Sequence, residues 1–126
     1  MPEIQSTQKP PRPYTPAQQR RDRTIAQWQA MIDKCYCRAE PQYPYIGGKG
    51  IRPTRRWRGG SCHYQPVGVD NLIADMGFCP PGCILWRIDR TKNYSKTNCL
   101  WKTRGGNLTR EDIAKRRAEL KAQRRA

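Results

Sequence analysis

The stretch that most constrains the fold runs from Cys83 to Thr103 and contains two short β-rich segments around a polar one. Residues 84–88 are apolar and rich in β-favouring side chains, and residues 98–101 form the second such segment. The polar, basic residues 89–97 between them suit an irregular hairpin loop. A Pro-Pro-Gly run precedes the unit and a Gly-Gly pair follows it. The sequence therefore predicts a β-hairpin with well-marked ends.

A very basic segment follows the hairpin, and we predict a helix over residues 108–126. Thr109 can cap its N-terminus, and acidic residues in the first turn favour the positive end of the helix dipole. Ile113 and Leu120 give it only a thin apolar stripe. Its remaining surface is rich in arginine and lysine, which suits contact with a phosphate backbone; a solvated exposed face is the alternative.

Two further helices are predicted upstream, at residues 20–35 and 65–76, because apolar side chains recur there at helical spacing. Gly77 is expected to end the second helix in the left-handed conformation. Residues 36–58 are rich in glycine and proline and predict turns. The apolar stripes consist of Ile25, Trp28, Ile32 and Cys35, with Met31 beside them, and of Val69, Leu72, Ile73 and Met76.

The charge of the chain indicates a polyanionic partner. There are 25 Lys and Arg residues against 10 Asp and Glu, giving a formal net charge of +15. Nucleic acid is the usual partner of so basic a small protein, and a membrane surface is the competing polyanion. The sequence has neither an apolar run long enough to span a bilayer nor an apolar leader, so we expect no membrane partner and a cytoplasmic location.

Three regions are predicted along the chain. Residues 1–19 are rich in proline and are expected to be a disordered tail. Residues 20–104 form the folded domain, and residues 105–126 form the basic C-terminal helix or arm. The mixture of predicted helices and one hairpin indicates a small α+β fold.

Several groups of residues occur in an order that resembles the HNH-type endonucleases, in the homing-like form that many phages encode. The likeness covers about residues 24–104. Such proteins typically carry Leu-Asp-Arg-Ile-Asp, then Asn-Tyr, then Asn-Cys-Arg-Trp-Ala-Thr, after upstream Gly-Gly, Arg-Trp and Asp-Met-Gly motifs. The matching residues here are 85–89, Asn93-Tyr94 and 98–103, preceded by Gly47-Gly48-Lys49-Gly50-Ile51, Arg56-Trp57 and Asp75-Met76-Gly77.

The resemblance implies a ββα core whose catalytic positions have changed. By position, the metal-binding acid of the family falls on Trp86, which cannot ligate a hard cation such as Mg²⁺. The water-activating base falls on Arg87, which stays protonated. Asn98 is retained, and Asp89 is the nearby carboxylate. The first hypothesis is therefore a nucleic-acid-binding protein, phage-encoded by resemblance, on a nuclease scaffold that has lost catalysis.

Two alternatives remain. An active metal-dependent DNA endonuclease would need Asp89 and Asn98 to hold Mg²⁺ or Mn²⁺, and His63, or another group that the sequence does not identify, to activate water. A basic inhibitor would instead bind the acidic surface of a host protein, in which case nucleic-acid competitors would not affect binding.

The predicted nucleic-acid-binding residues are basic side chains in the turn region, the hairpin and the C-terminal helix, with DNA favoured over RNA. Aromatic residues lie among those of the turn region, and they can stack on unpaired bases. The set comprises Lys49, Arg52, Arg55, Arg56, Arg58, Arg87, Arg90, Lys92, Lys96, Lys102, Arg104, Arg110, Arg116 and Arg117.

The chain contains 6 cysteines, and two interpretations of them stay open. Cys35, Cys37, Cys79 and Cys83 could together hold a structural zinc ion, as some HNH proteins do, although Cys-x-x-Cys pairs are absent. The alternative is that they are buried free thiols, because cysteine packs well as a small hydrophobe.

Overall fold

The computed structural model describes residues 14–59 and 67–125, and within these ranges the chain is a mixture of helices and one small sheet. This confirms the α+β class. A 2-stranded antiparallel sheet, β1–β2, lies between the second and third α-helices in the chain. The elements are α1 (Pro16–Tyr36), two 3₁₀ turns (Tyr43–Tyr45 and Gly47–Lys49), α2 (Val67–Met76), β1 (Cys83–Arg87), β2 (Cys99–Thr103) and α3 (Arg110–Arg125).

Helix α1 begins at Pro16, four residues before the predicted start at position 20. The Thr15 hydroxyl accepts a hydrogen bond from the Gln18 amide at 3.2 Å, and the Gln18 side chain accepts one from the Thr15 amide at 3.0 Å. This capping box satisfies amides that would otherwise lack partners, and proline is well tolerated in the first turn of a helix. The prolines suggested a tail here, whereas Pro16 starts the helix. Residues 1–13 of the predicted tail lie outside the described residues.

The core forms where α1 and α2 pack together and against the hairpin. Trp28, Met31, Ile32 and Cys35 are buried, as are Val69, Leu72, Trp57, Leu85 and Cys99. Ile25, predicted to belong to the buried stripe of α1, is 36% exposed, and Thr24 is fully buried instead. The reason is that the Thr24 hydroxyl is satisfied inside the protein: it donates to the Arg20 carbonyl at 2.8 Å and accepts from the Cys79 amide at 2.9 Å.

Close backbone contact between α2 and the turn at Trp57 requires a glycine. A Cβ atom on Gly68 would lie 2.1 Å from the Trp57 carbonyl oxygen, which also accepts a hydrogen bond from the Trp28 indole at 2.8 Å. Any larger residue would push α2 away from this carbonyl. Gly77 ends α2 with a φ of 75°, as predicted.

The hairpin forms with small shifts from its predicted bounds: β1 starts at Cys83, and β2 extends to Thr103. Leu85 lies opposite Trp101. The Ile88 amide donates to the Asn98 carbonyl at 2.7 Å, and the Arg104 amide donates to the Gly82 carbonyl at 2.9 Å. Because hydrogen-bonded pairs alternate in an antiparallel ladder, the backbone groups of residues 83, 85 and 87 point away from β2, toward the free edge of β1. There the Leu85 amide donates to the Gln27 side chain of α1 at 3.2 Å.

Helix α3 follows the hairpin and is hydrogen-bonded to it through Arg116. Thr109 caps it, as predicted: its hydroxyl accepts from the Asp112 amide at 3.1 Å. Arg116 is only 3% exposed and donates to the Cys99 carbonyl of β2 at 3.0 Å and to the Asp75 carbonyl of α2 at 3.2 Å. None of the helices in the described ranges could cross a membrane, given their length and polarity.

Candidate functional site

Trp86 lies on β1, and two cations contact its ring. The Arg90 guanidinium carbon and the Lys102 ammonium nitrogen each lie 4.8 Å from the ring centroid. Arg90 is exposed on the hairpin loop, whereas Lys102 is buried and also donates to the Thr103 carbonyl at 3.2 Å and to the Gly106 carbonyl. Cations are attracted to the negative face of an indole ring, so this position concentrates positive charge.

A pocket of about 390 Å³ opens along β1 beside this ring, and we call it the β1 pocket. Its walls combine apolar and aromatic side chains with cationic and amide groups from α1, the following turn and the hairpin loop. Polar and apolar groups contribute to the lining in similar proportion, so the pocket suits a ligand that combines both characters. Its lining includes Lys34, Gln42, Ile84, Trp86, Arg90 and Tyr94.

Arg87 was predicted to contact nucleic acid, but it is buried at 5% exposure. Its guanidinium donates to the Arg90 carbonyl at 2.6 Å and to the Lys92 carbonyl at 3.1 Å, and it lies 5.0 Å from the centroid of the Tyr94 ring. These contacts hold the hairpin loop, so the Arg87 guanidinium supports the site from inside, while the residue also forms part of the lining of the β1 pocket.

Lys102 and Arg116 require the same correction. Both are buried, at 8% and 3% exposure, and both use their donors on backbone carbonyls within the protein. Arg52 is half-buried, and its guanidinium donates to the Gly47 and Ile51 carbonyls, each at 2.9 Å. Part of its hydrogen-bonding capacity is therefore used inside the protein. Arg56 stays half exposed while pairing with Asp75 at 2.9 Å.

The other predicted basic residues keep a surface position, apart from Arg58, which is partly buried. They lie in the turn region, on the hairpin loop, directly after β2 and along α3. Further basic residues outside the predicted set are also exposed on α3. Those in the set are Lys49, Arg55, Arg90, Lys92, Lys96, Arg104, Arg110 and Arg117, and those added by α3 are Lys115, Lys121 and Arg124.

Asp89 and Asn98 come together, but both side chains serve the hairpin loop. The Asp89 carboxylate accepts from the Thr91 hydroxyl at 2.6 Å and from the Thr91 amide at 2.9 Å, and these bonds lower the pKa of Asp89. Asn98 accepts from the Asp89 amide at 2.8 Å and donates to the Asp89 and Asn93 carbonyls at 2.9 and 3.0 Å. His63, the third residue of the nuclease alternative, lies outside the described residues.

The four cysteines of the predicted zinc site do not assemble. Cys35 is buried in the main core and Cys37 is exposed, while the Cys79 thiol donates to the Cys83 carbonyl at 3.3 Å. Burial raises the pKa of Cys35 to about 12, as expected for a thiol packed in the core. Within residues 14–59 and 67–125, no three His, Cys, Asp or Glu side chains are grouped to hold a metal ion. Cys62 lies outside these ranges.

The sequence did not indicate two residues of the β1 pocket. Lys34 and Gln42 lie more than forty positions before the hairpin and belong to no motif, so only the packing of α1 and its following turn beside β1 brings them there. Comparison with known proteins assigns no family: no family model matches the chain, and neither a curated protein nor a solved structure matches it.

Proposed function

We propose that this protein binds nucleic acid, DNA in preference to RNA, on an HNH-like ββα scaffold whose catalytic positions have been replaced. The observation that carries the proposal is the ring of Trp86 with Arg90 and Lys102 each 4.8 Å from its centroid. In the HNH-type endonucleases that the sequence resembles, the metal-binding acid occupies the position that matches Trp86. An indole flanked by cations offers no oxygen ligand for Mg²⁺, but it suits phosphates and bases.

The order of elements supports the scaffold part of the proposal. A two-stranded hairpin is followed directly by a helix, and the buried Arg116 fastens that helix to the Cys99 carbonyl of β2. The residue that matches the catalytic base, Arg87, is fixed by the Arg90 and Lys92 carbonyls, so a permanently charged group holds the loop. Asp89 and Asn98 are likewise engaged within the loop.

Charge supports the nucleic-acid part. The chain carries a formal net charge of +15, and exposed basic side chains remain on the hairpin loop and along α3 after the buried ones are set aside. Neutralising phosphates with such side chains releases condensed counterions, which gives affinity without sequence specificity. Arg110 and Arg117 are both exposed on α3 and are available for this purpose.

The test combines a plasmid assay with a binding titration. Supercoiled DNA incubated with the full chain and Mg²⁺, Mn²⁺ or EDTA should be retarded but stay intact after protein removal. Binding of a labelled duplex, followed by fluorescence anisotropy, should weaken by about a thousandfold between about 50 and 200 mM salt if some six phosphates are contacted. The double variant Arg110→Ala/Arg117→Ala should reduce the salt slope by about two, because each lost phosphate contact removes about one.

Arg21→Ala is the matched control, because Arg21 is an exposed arginine that already pairs with Asp70 at 3.0 Å. It should change the salt slope by less than half of the change caused by the double α3 variant. Metal-dependent nicking would overturn the loss of catalysis and direct attention to Asp89 and Asn98. Absence of any binding at low salt would overturn the proposal and favour an acidic protein partner.

A further inference from the structure

We propose that the β1 pocket receives one unpaired nucleotide of the bound nucleic acid, with its base against Trp86 and its phosphate between Lys34 and Arg90. This inference rests on the proposed function and names its target: nucleic acid with an unpaired base, as in a single strand or a bulge. Only unpaired bases expose a ring face for stacking, since in a duplex both faces are covered by neighbouring base pairs.

The shape and lining of the pocket suit a base. Its volume of about 390 Å³ accommodates a planar ring system, and Ile84, Trp86 and Tyr94 supply apolar and aromatic walls. Lys34 from α1 and Arg90 from the hairpin loop line the same cavity, so cationic groups lie beside the apolar ones. A nucleotide has the matching combination of an aromatic ring and an anionic phosphate.

The two cations at the Trp86 ring differ in how firmly they are held. Lys102 is buried and bonded to the Thr103 and Gly106 carbonyls, so it stays in place. Arg90 is exposed, and the loop fixes its backbone, because its carbonyl accepts from Arg87 at 2.6 Å. Its guanidinium can therefore leave the ring for a phosphate while a base takes its place, with no movement of the loop.

The free edge of β1 adds polar groups to the pocket. Leu85 and Arg87 both line it, and the ladder directs their backbone carbonyl and amide groups away from β2. The Leu85 amide is already bonded to Gln27, which leaves the Leu85 carbonyl and the Arg87 amide pointing along this edge to meet the polar rim of a base. An extended acidic peptide is the competing occupant of such an edge, but it would gain nothing from the indole face.

The experiment compares three labelled duplexes by anisotropy at one low salt concentration: fully paired, with one bulged nucleotide, and with the same bulge lacking its base. The full chain should bind the base-containing bulge about tenfold more tightly than the abasic one, since stacking of one base on an aromatic ring is typically worth about that factor or more. Trp86→Leu should reduce this ratio toward one. Arg90→Ala should weaken binding of both bulges more than that of the paired duplex and leave the ratio of the two bulges nearly unchanged, because both bulges carry the phosphate. Trp86→Phe should keep most of it.

Lys92→Ala is the matched control for Arg90→Ala. Lys92 is an exposed cation on the same loop, paired with Asp89 at 3.9 Å, and it does not line the pocket. Its loss should weaken binding of all three duplexes to the same extent. If Trp86→Leu fails to fold by circular dichroism, the ratio of the two bulges for the full chain and for Trp86→Phe still decides whether a base stacks in the pocket. Arg90→Ala, at an exposed side chain, separately tests the phosphate contact.

Equal affinity of the full chain for the two bulges would overturn this inference and leave the proposed function standing. That is also the result expected if the edge serves an acidic peptide. Absence of binding to all three duplexes would overturn the proposed function and this inference with it.

Discussion

At the residue scale, Asp75 on α2 forms hydrogen bonds to both the turn region and α3, which no sequence pattern indicates. Its carboxylate is buried on α2 and accepts hydrogen bonds from the Arg56 guanidinium, at 2.9 and 3.1 Å, and from the Trp57 indole at 2.8 Å. Its backbone carbonyl accepts from Arg116 at 3.2 Å and from Gln123 at 3.0 Å, both on α3. One residue thus links the turn region, α2 and α3.

Replacing Asp75 with asparagine should lower the free energy of unfolding by about 2–3 kcal/mol, because the new amide would direct hydrogens at donors and leave Arg56 without its counter-charge. Urea unfolding followed by tryptophan fluorescence measures the loss. The control is Asp70→Asn on the same helix: Asp70 forms an exposed pair with Arg21, so less than about 1 kcal/mol should be lost. Similar losses in the two variants would contradict this assignment.

At the scale of elements, Asn98 determines the conformation of the hairpin loop. Its amide group joins the Asp89 amide and carbonyl to the Asn93 carbonyl, with distances of 2.8 to 3.0 Å. The loop has 11 residues between the strands, residues 88–98, too many for turn chemistry alone to fix. The position of Arg90 beside Trp86 therefore depends on an asparagine at the far end of the loop.

The variant Asn98→Ala should open this loop and cost about 2–3 kcal/mol, because the Asp89 amide and two carbonyls lose their partner. Hydrogen exchange of the Asp89 amide should become much faster, while the relative exchange rates of the amides of α1 stay the same. Ser95→Ala serves as the comparison, since its hydroxyl is hydrogen-bonded to the exposed Thr97 hydroxyl, at 3.2 Å. Unchanged exchange at Asp89 would show that other contacts hold the loop.

The helices and the hairpin could be predicted because their apolar periodicity is local, and so could the caps at Thr109 and Gly77. The burial of Thr24 could not, since its partner Cys79 lies 55 positions away. The burial of Arg116 could not be predicted for the same reason, because its acceptors on Cys99 and Asp75 lie 17 and 41 positions away. Arg87 and Lys102 donate to nearby carbonyls, but these lie on the hairpin loop and at or just after the end of β2, where the sequence does not show the course of the backbone. Net charge predicts a basic surface, but it does not identify the basic side chains that the fold buries.

At the scale of the whole molecule, the core depends on neutral thiols and a phenol. Burial raises the pKa of Cys35 and Cys99 from 9.0 to about 12, and that of Tyr94 from 10.0 to about 12. All three belong to the main hydrophobic cluster, so their ionisation would place negative charge among α1, the hairpin and Trp57. The fold therefore favours the protonated form of each.

We expect stability that is fully present below about pH 9 and falls as the pH rises toward 12. Between these values the folded state binds more protons than the unfolded state, so the unfolding free energy declines by up to about 1.4 kcal/mol per pH unit for each such group. Urea titrations across this range test the slope. Cys35→Ala should flatten it, whereas Cys37→Ala, at an exposed thiol, should not. A flat profile in the unmodified chain would contradict the prediction.

The buried contacts of Arg116 bear on where this chain can be shortened. Gly105 and Gly106 look like a natural boundary between a domain and a dispensable arm. A deletion there would remove the donor that satisfies the Cys99 and Asp75 carbonyls, together with Gln123, which also bonds Asp75. The smallest autonomous fragment therefore has to include residue 123, because α3 packs as part of the domain in addition to carrying basic side chains.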